Sequence, residues 1–176
     1  MSGTTRPPDF ISLEAHRDRE HPVERAARWM FVALLTAAAA AGLANVFGQR
    51  PGTATAAGPA ATLSVRSPGA LRGGLLFQAR IEVDARAGLQ KPTIWLDRGW
   101  FDNFTLNTVQ PEPTKAASER GGVAFELDPL PAGRRLTLYL QFQVNPTTVG
   151  RRSQDVVLRD GGRPIARVDR AVTIFP

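Results

Sequence analysis

No cysteine occurs among the 176 residues, which excludes both a disulfide framework and a thiolate metal site. Histidine is nearly absent too: His16 and His21 are the only two, and both precede the hydrophobic stretch. They lack a third ligand and the i, i+4 spacing of a helical metal pair, so they read as solvated residues of a charged tail. A Ser-His-Asp or Cys-His arrangement therefore has no residues to build it after position 21. Lysine is scarce, with Lys91 and Lys115 alone among 22 basic residues. Charge is absent altogether from Trp29 to Phe47. No internal repeat is visible at a period of twenty to fifty residues.

The 22 basic and 16 acidic residues leave a formal charge of +6, unevenly placed. In residues 1–28, Arg6, Arg17, Arg19, Arg25 and Arg28 balance Asp9, Glu14, Asp18, Glu20 and Glu24, so the excess falls after residue 49. A positive surface outside a membrane is drawn to anionic head groups or an anionic envelope polymer, although arginine-rich coding alone also gives a basic surface. That arginine, alanine, glycine and proline bias resembles coding from a GC-rich bacterial genome, most simply an actinobacterium.

The uncharged run Trp29–Phe47 reads WMFVALLTAAAAAGLANVF. At 1.5 Å per residue, nearly twenty residues cross the ~30 Å hydrocarbon core of a bilayer. Trp29 sits where interfacial tryptophans anchor, and Thr36 can bond back to the preceding turn. A buried helix of a soluble protein would carry a polar stripe, and none is present. A cleaved signal peptide is the rival, because Gly42-Leu43-Ala44 has the small-x-small form of a cleavage site. Against it, the preceding 28 residues are long and as acidic as they are basic, unlike a secretory n-region. Arg17, Arg19, Arg25 and Arg28 before the run, against Arg50 and Arg66 after it, predict a cytoplasmic N-terminus at a cell membrane. The expected organisation is a cytoplasmic tail (1–28), a transmembrane helix (29–47) anchored in the lipid bilayer, a flexible linker (48–61) and an extracytoplasmic domain (62–176). Pro22 is placed to start a helix that runs on into the membrane, and the Gly, Pro, Ala and Thr of the linker offer nothing to bury.

After Thr62 the hydrophobic period changes to two. Leu75, Phe77, Ala79, Ile81 and Val83 alternate with polar residues, as do Leu136, Leu138, Leu140, Phe142 and Val144, the pattern of strands with one buried face. Weaker strands are expected at 62–66, 93–97, 103–109, 122–127, 155–159 and 165–174. Turn signals separate them, among them Arg98-Gly99, Arg120-Gly121-Gly122, Pro131-Ala132-Gly133 and Asp160-Gly161-Gly162-Arg163, the last predicting a hairpin. This is an all-β pattern: an antiparallel β-sandwich of 7–8 strands preceded by one transmembrane helix. The layout from Thr62 to Pro176 resembles the immunoglobulin-like domains of bacterial envelope proteins. That likeness is architectural, since the Cys pair and tyrosine corner of true immunoglobulin domains are missing.

Acidic residues of the domain are scattered singly, so no cofactor, metal or catalytic group is assigned and no enzymatic activity is expected. The densest chemistry lies in Ile94–Phe104, where Trp95, Trp100, Phe101 and Phe104 are broken by Asp97, Arg98, Asp102 and Asn103. Trp95, on a predicted strand, is expected as the core aromatic of the sandwich. Trp100 and Phe101 follow a glycine turn and are expected to leave a ring at the surface, forming with Asp102 a platform for a partner. Arg134-Arg135 and Arg151-Arg152 are expected to gather as a basic patch at one end, and Arg151 and Arg152 are counted with Trp100, Phe101 and Asp102 as possible partner-binding residues. Nucleic acid is not an expected partner for a domain outside the cytoplasm. Two function classes follow. One is an interaction or structural module binding a membrane or envelope protein; the other is an envelope carbohydrate-binding or enzymatic domain, or a domain secreted after cleavage.

Overall fold

A computed structural model describes residues 22–44 and 49–176. Residues 1–21 of the tail, with both histidines, and the end of the expected membrane span from Asn45 to Phe47 lie outside the described residues. Two compact units divide the chain, one ending at Val46 and the other beginning at Phe47.

In the first unit, α1 (Pro22–Leu43) starts at the proline, whose missing amide is no loss in the first turn. It begins seven residues before Trp29, as one rod through Glu24, Arg25 and Arg28. None of its residues is buried, and it is long and apolar enough to cross a membrane. Thr36 Oγ1 donates to Val32 O at 2.8 Å, so its hydroxyl is satisfied without water.

The described residues of the second unit form thirteen strands: β1 (Pro51–Ala57), β2 (Ala61–Pro68), β3 (Ala70–Arg72), β4 (Leu76–Ala85), β5 (Pro92–Leu96), β6 (Phe104–Gln110), β7 (Lys115–Glu119), β8 (Gly122–Glu126), β9 (Arg135–Val144), β10 (Gly150–Ser153), β11 (Val156–Asp160), β12 (Arg163–Val168) and β13 (Ala171–Phe175). One five-stranded sheet has the order β1-β2-β4-β9-β6, the other β12-β11-β5-β8-β7. A small third sheet, β10-β13-β3, holds the one parallel pair among the described strands, β13 with β3. The fold is an immunoglobulin-like antiparallel β-sandwich, with more strands than the seven or eight expected because several short ones carry no alternation.

The two strongest alternations pair with each other. Phe77 lies opposite Phe142 and Ile81 opposite Leu138, all at most 3% exposed, while Gln78 and Gln141 face water together. From the other sheet Ile94, Leu96, Phe125, Val156 and Leu158 close the core. Leu75, expected to open the first buried row, precedes β4 and is 41% exposed. The residues expected as a final strand from 165 to 174 form β12 and β13 in different sheets, and the Asp160–Arg163 turn joins β11 to β12.

The expected linker is corrected over half of its length: Pro51–Ala57 is a strand paired with β2 from Pro51↔Pro68 to Ala57↔Thr62. An edge strand needs little intrinsic preference when a neighbour supplies its hydrogen bonds. Ala54 and Ala56 rest against the core, and Thr55 Oγ1 meets Ser64 Oγ at 3.0 Å.

Candidate functional site

The aromatic segment is divided by the turn at its centre. In β5 side chains alternate, so Ile94 and Leu96 point into the sandwich and Trp95 points out. Trp95 is half-buried on the outer face, between Val157 of β11 and Ala124 of β8. Its Nε1 donates to Glu119 O at 2.9 Å, and the Arg159 guanidinium lies 5.5 Å from its ring centroid. A Cβ at Gly122 would fall 2.8 Å from the indole, so only glycine lets the ring lie flat there.

Trp100 takes the place expected for Trp95. The 3-10 turn Arg98–Trp100 swings its ring inward, where it is wholly buried, 5.4 Å from Phe142 by ring centroids. Nε1 donates to Asp155 O at 3.2 Å, and the Arg170 guanidinium stands 5.9 Å from the ring. The turn can approach β10 only because of Gly99, where a Cβ would lie 1.9 Å from Ser153 O. Trp100 is therefore a core residue, not a surface platform. The misreading came from assuming that a residue after a glycine turn points to water; here the turn lies against a third sheet.

Of the other expected contact residues, Phe101 is half-buried with its ring 6.1 Å from that of Phe142. Asp102 lies 3.2 Å from Arg152 Nε, so these two are brought together as a partly exposed ion pair. Arg151 is exposed beside them. The expected single basic patch is not formed. Arg135 opens β9 opposite Asp84, whereas Asn103 meets Asn145 just past the other end of β9. Ten residues of strand at about 3.3 Å each hold the two arginine pairs roughly 30 Å apart.

A polar group lies beneath this end of the sandwich. Asp97 Oδ2 accepts from Ser153 Oγ at 2.5 Å, while burial pushes its carboxyl above the usual range, against that hydrogen bond and with Asp155 adding repulsion. Arg170 Nη2 donates to Ser67 O at 3.0 Å, and burial lowers the pKa of its guanidinium. Asp155 Oδ2 accepts from Arg167 Nη2 at 2.6 Å and Oδ1 accepts from the Arg170 amide at 3.2 Å. Asp155 is spent on internal partners and Asp97 Oδ2 on Ser153, while Asp97 Oδ1 is buried without a hydrogen-bond partner, and the described residues hold no group of three His, Cys, Asp or Glu fit for a metal ion.

Two concavities flank the β7–β8 hairpin, whose turn residues Arg120 (φ 50°) and Gly121 (φ 78°) are both left-handed, the geometry of a type I′ turn. A cavity of about 280 Å³ on the outer sheet face is floored by Ala117 and Ala124 and walled by Lys115, Glu119, Glu126 and Arg159. Arg159 Nη1 reaches Glu119 Oε1 at 3.0 Å across it. On the other side a more open hollow of about 460 Å³ is bounded by the turn, Arg98, Phe101 and Val123. The sequence signalled the turn and Phe101, but not β7, whose Lys-Ala-Ala-Ser-Glu lacks any strand former.

No family model matches the chain, and no curated protein matches it. Among solved structures it is similar to CaCohA2 from Clostridium acetobutylicum, at 13% identity and TM-score 0.42, over 59% of this chain and 85% of that one. A non-cellulosomal cohesin from Archaeoglobus fulgidus gives 11% identity and TM-score 0.39 over 70% and 91%. The CARDB domain of a Pyrococcus furiosus protein, in complex with di-metal ions, gives 11% and 0.41 over 68% and 92%.

Proposed function

We propose that this chain is a membrane-anchored extracytoplasmic interaction module, an accessory subunit that holds a membrane or envelope protein at the β7–β8 hairpin. The observation that carries the reading is the hairpin itself: a two-residue turn with concavities on both sides, mixed in charge and edged by the half-buried Phe101. Protein partners are commonly bound by such surfaces, with a partly buried aromatic beside arginine. The unburied α1, with arginines ahead of it, supports the anchor and the cytoplasmic placement of the N-terminus. An enzymatic role has no histidine or cysteine in the domain to support it. The carbohydrate reading loses its ring, because Trp100 is buried and Arg159 lies over Trp95.

The test is site-specific photo-crosslinking of the full chain in native membranes. A photoreactive residue at Arg120 should give one discrete adduct with a membrane or envelope protein, and one at Gln78 on the outer face of the other sheet should not. Equal labelling from both positions, or none from Arg120, would remove the hairpin as the binding surface. Sequencing the mature N-terminus checks the anchor separately: a start near Asn45 would mean a secreted domain.

A further inference from the structure

A sheet edge is a row of unpaired amides and carbonyls, and proteins guard it with bulges, prolines or cover. Three edges of the large sheets are guarded. β6 is broken by a register shift between Leu106 and Thr108. β12 contains Pro164 and faces a shift between Leu158 and Arg159. β1 opens at Pro51, and the turn that ends it sits on β12, where a Cβ at Gly58 would lie 2.1 Å from Ile165 O.

The fourth edge, β7, has neither bulge, proline nor cover, and is protected only by its shortness and the charges of Lys115 and Glu119 at its ends. Lys115–Glu119 pairs with β8 in unbroken register from Lys115↔Glu126 to Glu119↔Gly122. It contains no proline, and residues 115–118 are exposed. A two-residue type I′ turn closes on a pair that exchanges both hydrogen bonds, here Glu119 with Gly122. Residues 115, 117 and 119 then spend their backbone groups on β8, and Ala116 and Ser118 present theirs outward.

Both the backbone and the charges of this edge are self-complementary. We infer that β7 pairs antiparallel with β7 of a second copy of this chain, about a two-fold axis through Ala117. In that register Ala116 lies opposite the partner's Ser118, so the four outward amides and carbonyls of each strand find partners. Lys115 lies opposite the partner's Glu119 at both ends, on the outer face where both side chains line the cavity. Ala117 meets its own copy, and small side chains there keep nothing between the strands. Sliding one strand past the other by two residues sets Lys115 or Glu119 opposite Ala117 and loses both opposite-charge pairs, and sliding by four sets Lys115 against Lys115 or Glu119 against Glu119, where like charges directly opposite repel. The charges thus select one register, and closure about a two-fold ends the assembly at two copies. The hairpin turns lie at opposite ends of the joint, so the hollow beside Phe101 stays open for the partner proposed above.

With no cysteine in the chain, one introduced thiol reports the joint cleanly. The Ala117 pair would be a non-hydrogen-bonded one with Cα atoms about 4.5 Å apart, within disulfide range. Full-length Ala117→Cys in native membranes should form a species of twice the chain mass under mild oxidation, roughly tenfold faster than Thr105→Cys on the β6 edge, as aligned thiols exceed random collision. Adding Ser118→Pro, which removes an outward amide without touching the β8 ladder, should abolish that difference. Lys115→Glu should slow the cross-link, and Lys115→Glu with Glu119→Lys should restore it. Equal rates for Ala117→Cys and Thr105→Cys, or a dimer indifferent to Ser118→Pro, would overturn the inference. A cross-link to a species of any other mass would assign the edge to a different protein. Loss of this dimer leaves the Arg120 adduct untouched, so the two readings fail separately.

Discussion

Trp95 and Trp100 belong to one short segment and meet opposite surroundings. Trp95 lies on the regular strand β5, half-exposed, with its indole between Gly122 and Arg159. Trp100 lies on an irregular turn and is wholly buried between Phe142 and Arg170. Regularity did not decide burial: the strand's alternation gives the core to Ile94 and Leu96 and leaves the odd position to water, while the turn is roofed by β10. The larger lesson is that a sandwich with an extra small sheet has a third wall, and a residue facing that wall looks like a loop residue in sequence. Each tryptophan's nitrogen donates to a backbone carbonyl, Glu119 O for Trp95 and Asp155 O for Trp100, so the difference between them lies in the rings.

The sharpest break of the comparison is truncation. Trp100→Ala removes a fully buried ring and leaves a cavity, a change that costs about 3–5 kcal/mol in a core. Against a total stability of about 5–15 kcal/mol, the domain should melt far lower or fail to fold. Urea unfolding followed by near-ultraviolet circular dichroism checks this; a loss no larger than that of a surface substitution would mean that Trp100 is not the keystone of this end.

Trp95→Ala should cost less, about 1–2 kcal/mol, the sum of one hydrogen bond and one cation–π contact at a half-exposed site. It should also free Arg159 and loosen the ion pair with Glu119, without lowering the cooperativity of unfolding. If the two alanine variants melt alike, the inward and outward assignments of these rings are wrong.

How much of this was legible depended on how regular each element is. β4 and β9 were readable because five alternating apolar residues leave one register for each, and the pairing of Phe77 with Phe142 follows from it. Pro22 was readable as a helix start because its ring suits the first turn. β1 and β7 were not, since Ala, Thr, Ser and Gly carry no periodic signal and these strands exist because a neighbour offers hydrogen bonds. The ion pair of Asp102 with Arg152 joins residues about fifty positions apart and was not legible, nor was the direction of Trp100, because nothing in Arg-Gly-Trp states which way a 3-10 turn faces. Tertiary contact decided it: β10 comes some fifty residues later in the chain.

The smallest expected effect concerns the carboxyl that sits between the two tryptophans. Burial holds the pKa of Asp97 above its ordinary 3.8 in the folded chain, with Asp155 adding repulsion and the Ser153 hydroxyl and backbone amides opposing. A raised carboxyl favours the protonated form on folding. Its contribution to stability is therefore fully present below 3.8 and lost as pH rises through the folded value. At neutral pH the charged, partly desolvated carboxylate is a net cost. Asp97→Asn keeps an oxygen for Ser153 and removes the charge, so the variant should melt slightly higher near pH 7. Its melting temperature relative to the parent should converge on acidification, once Asp97 is protonated. Thermal melts of both proteins from about pH 3 to about pH 7 span this titration. A lower melting temperature for Asp97→Asn near pH 7 would show that the ionised carboxylate's hydrogen bond from Ser153 outweighs its burial, and that the turn holding Trp100 depends on that charge.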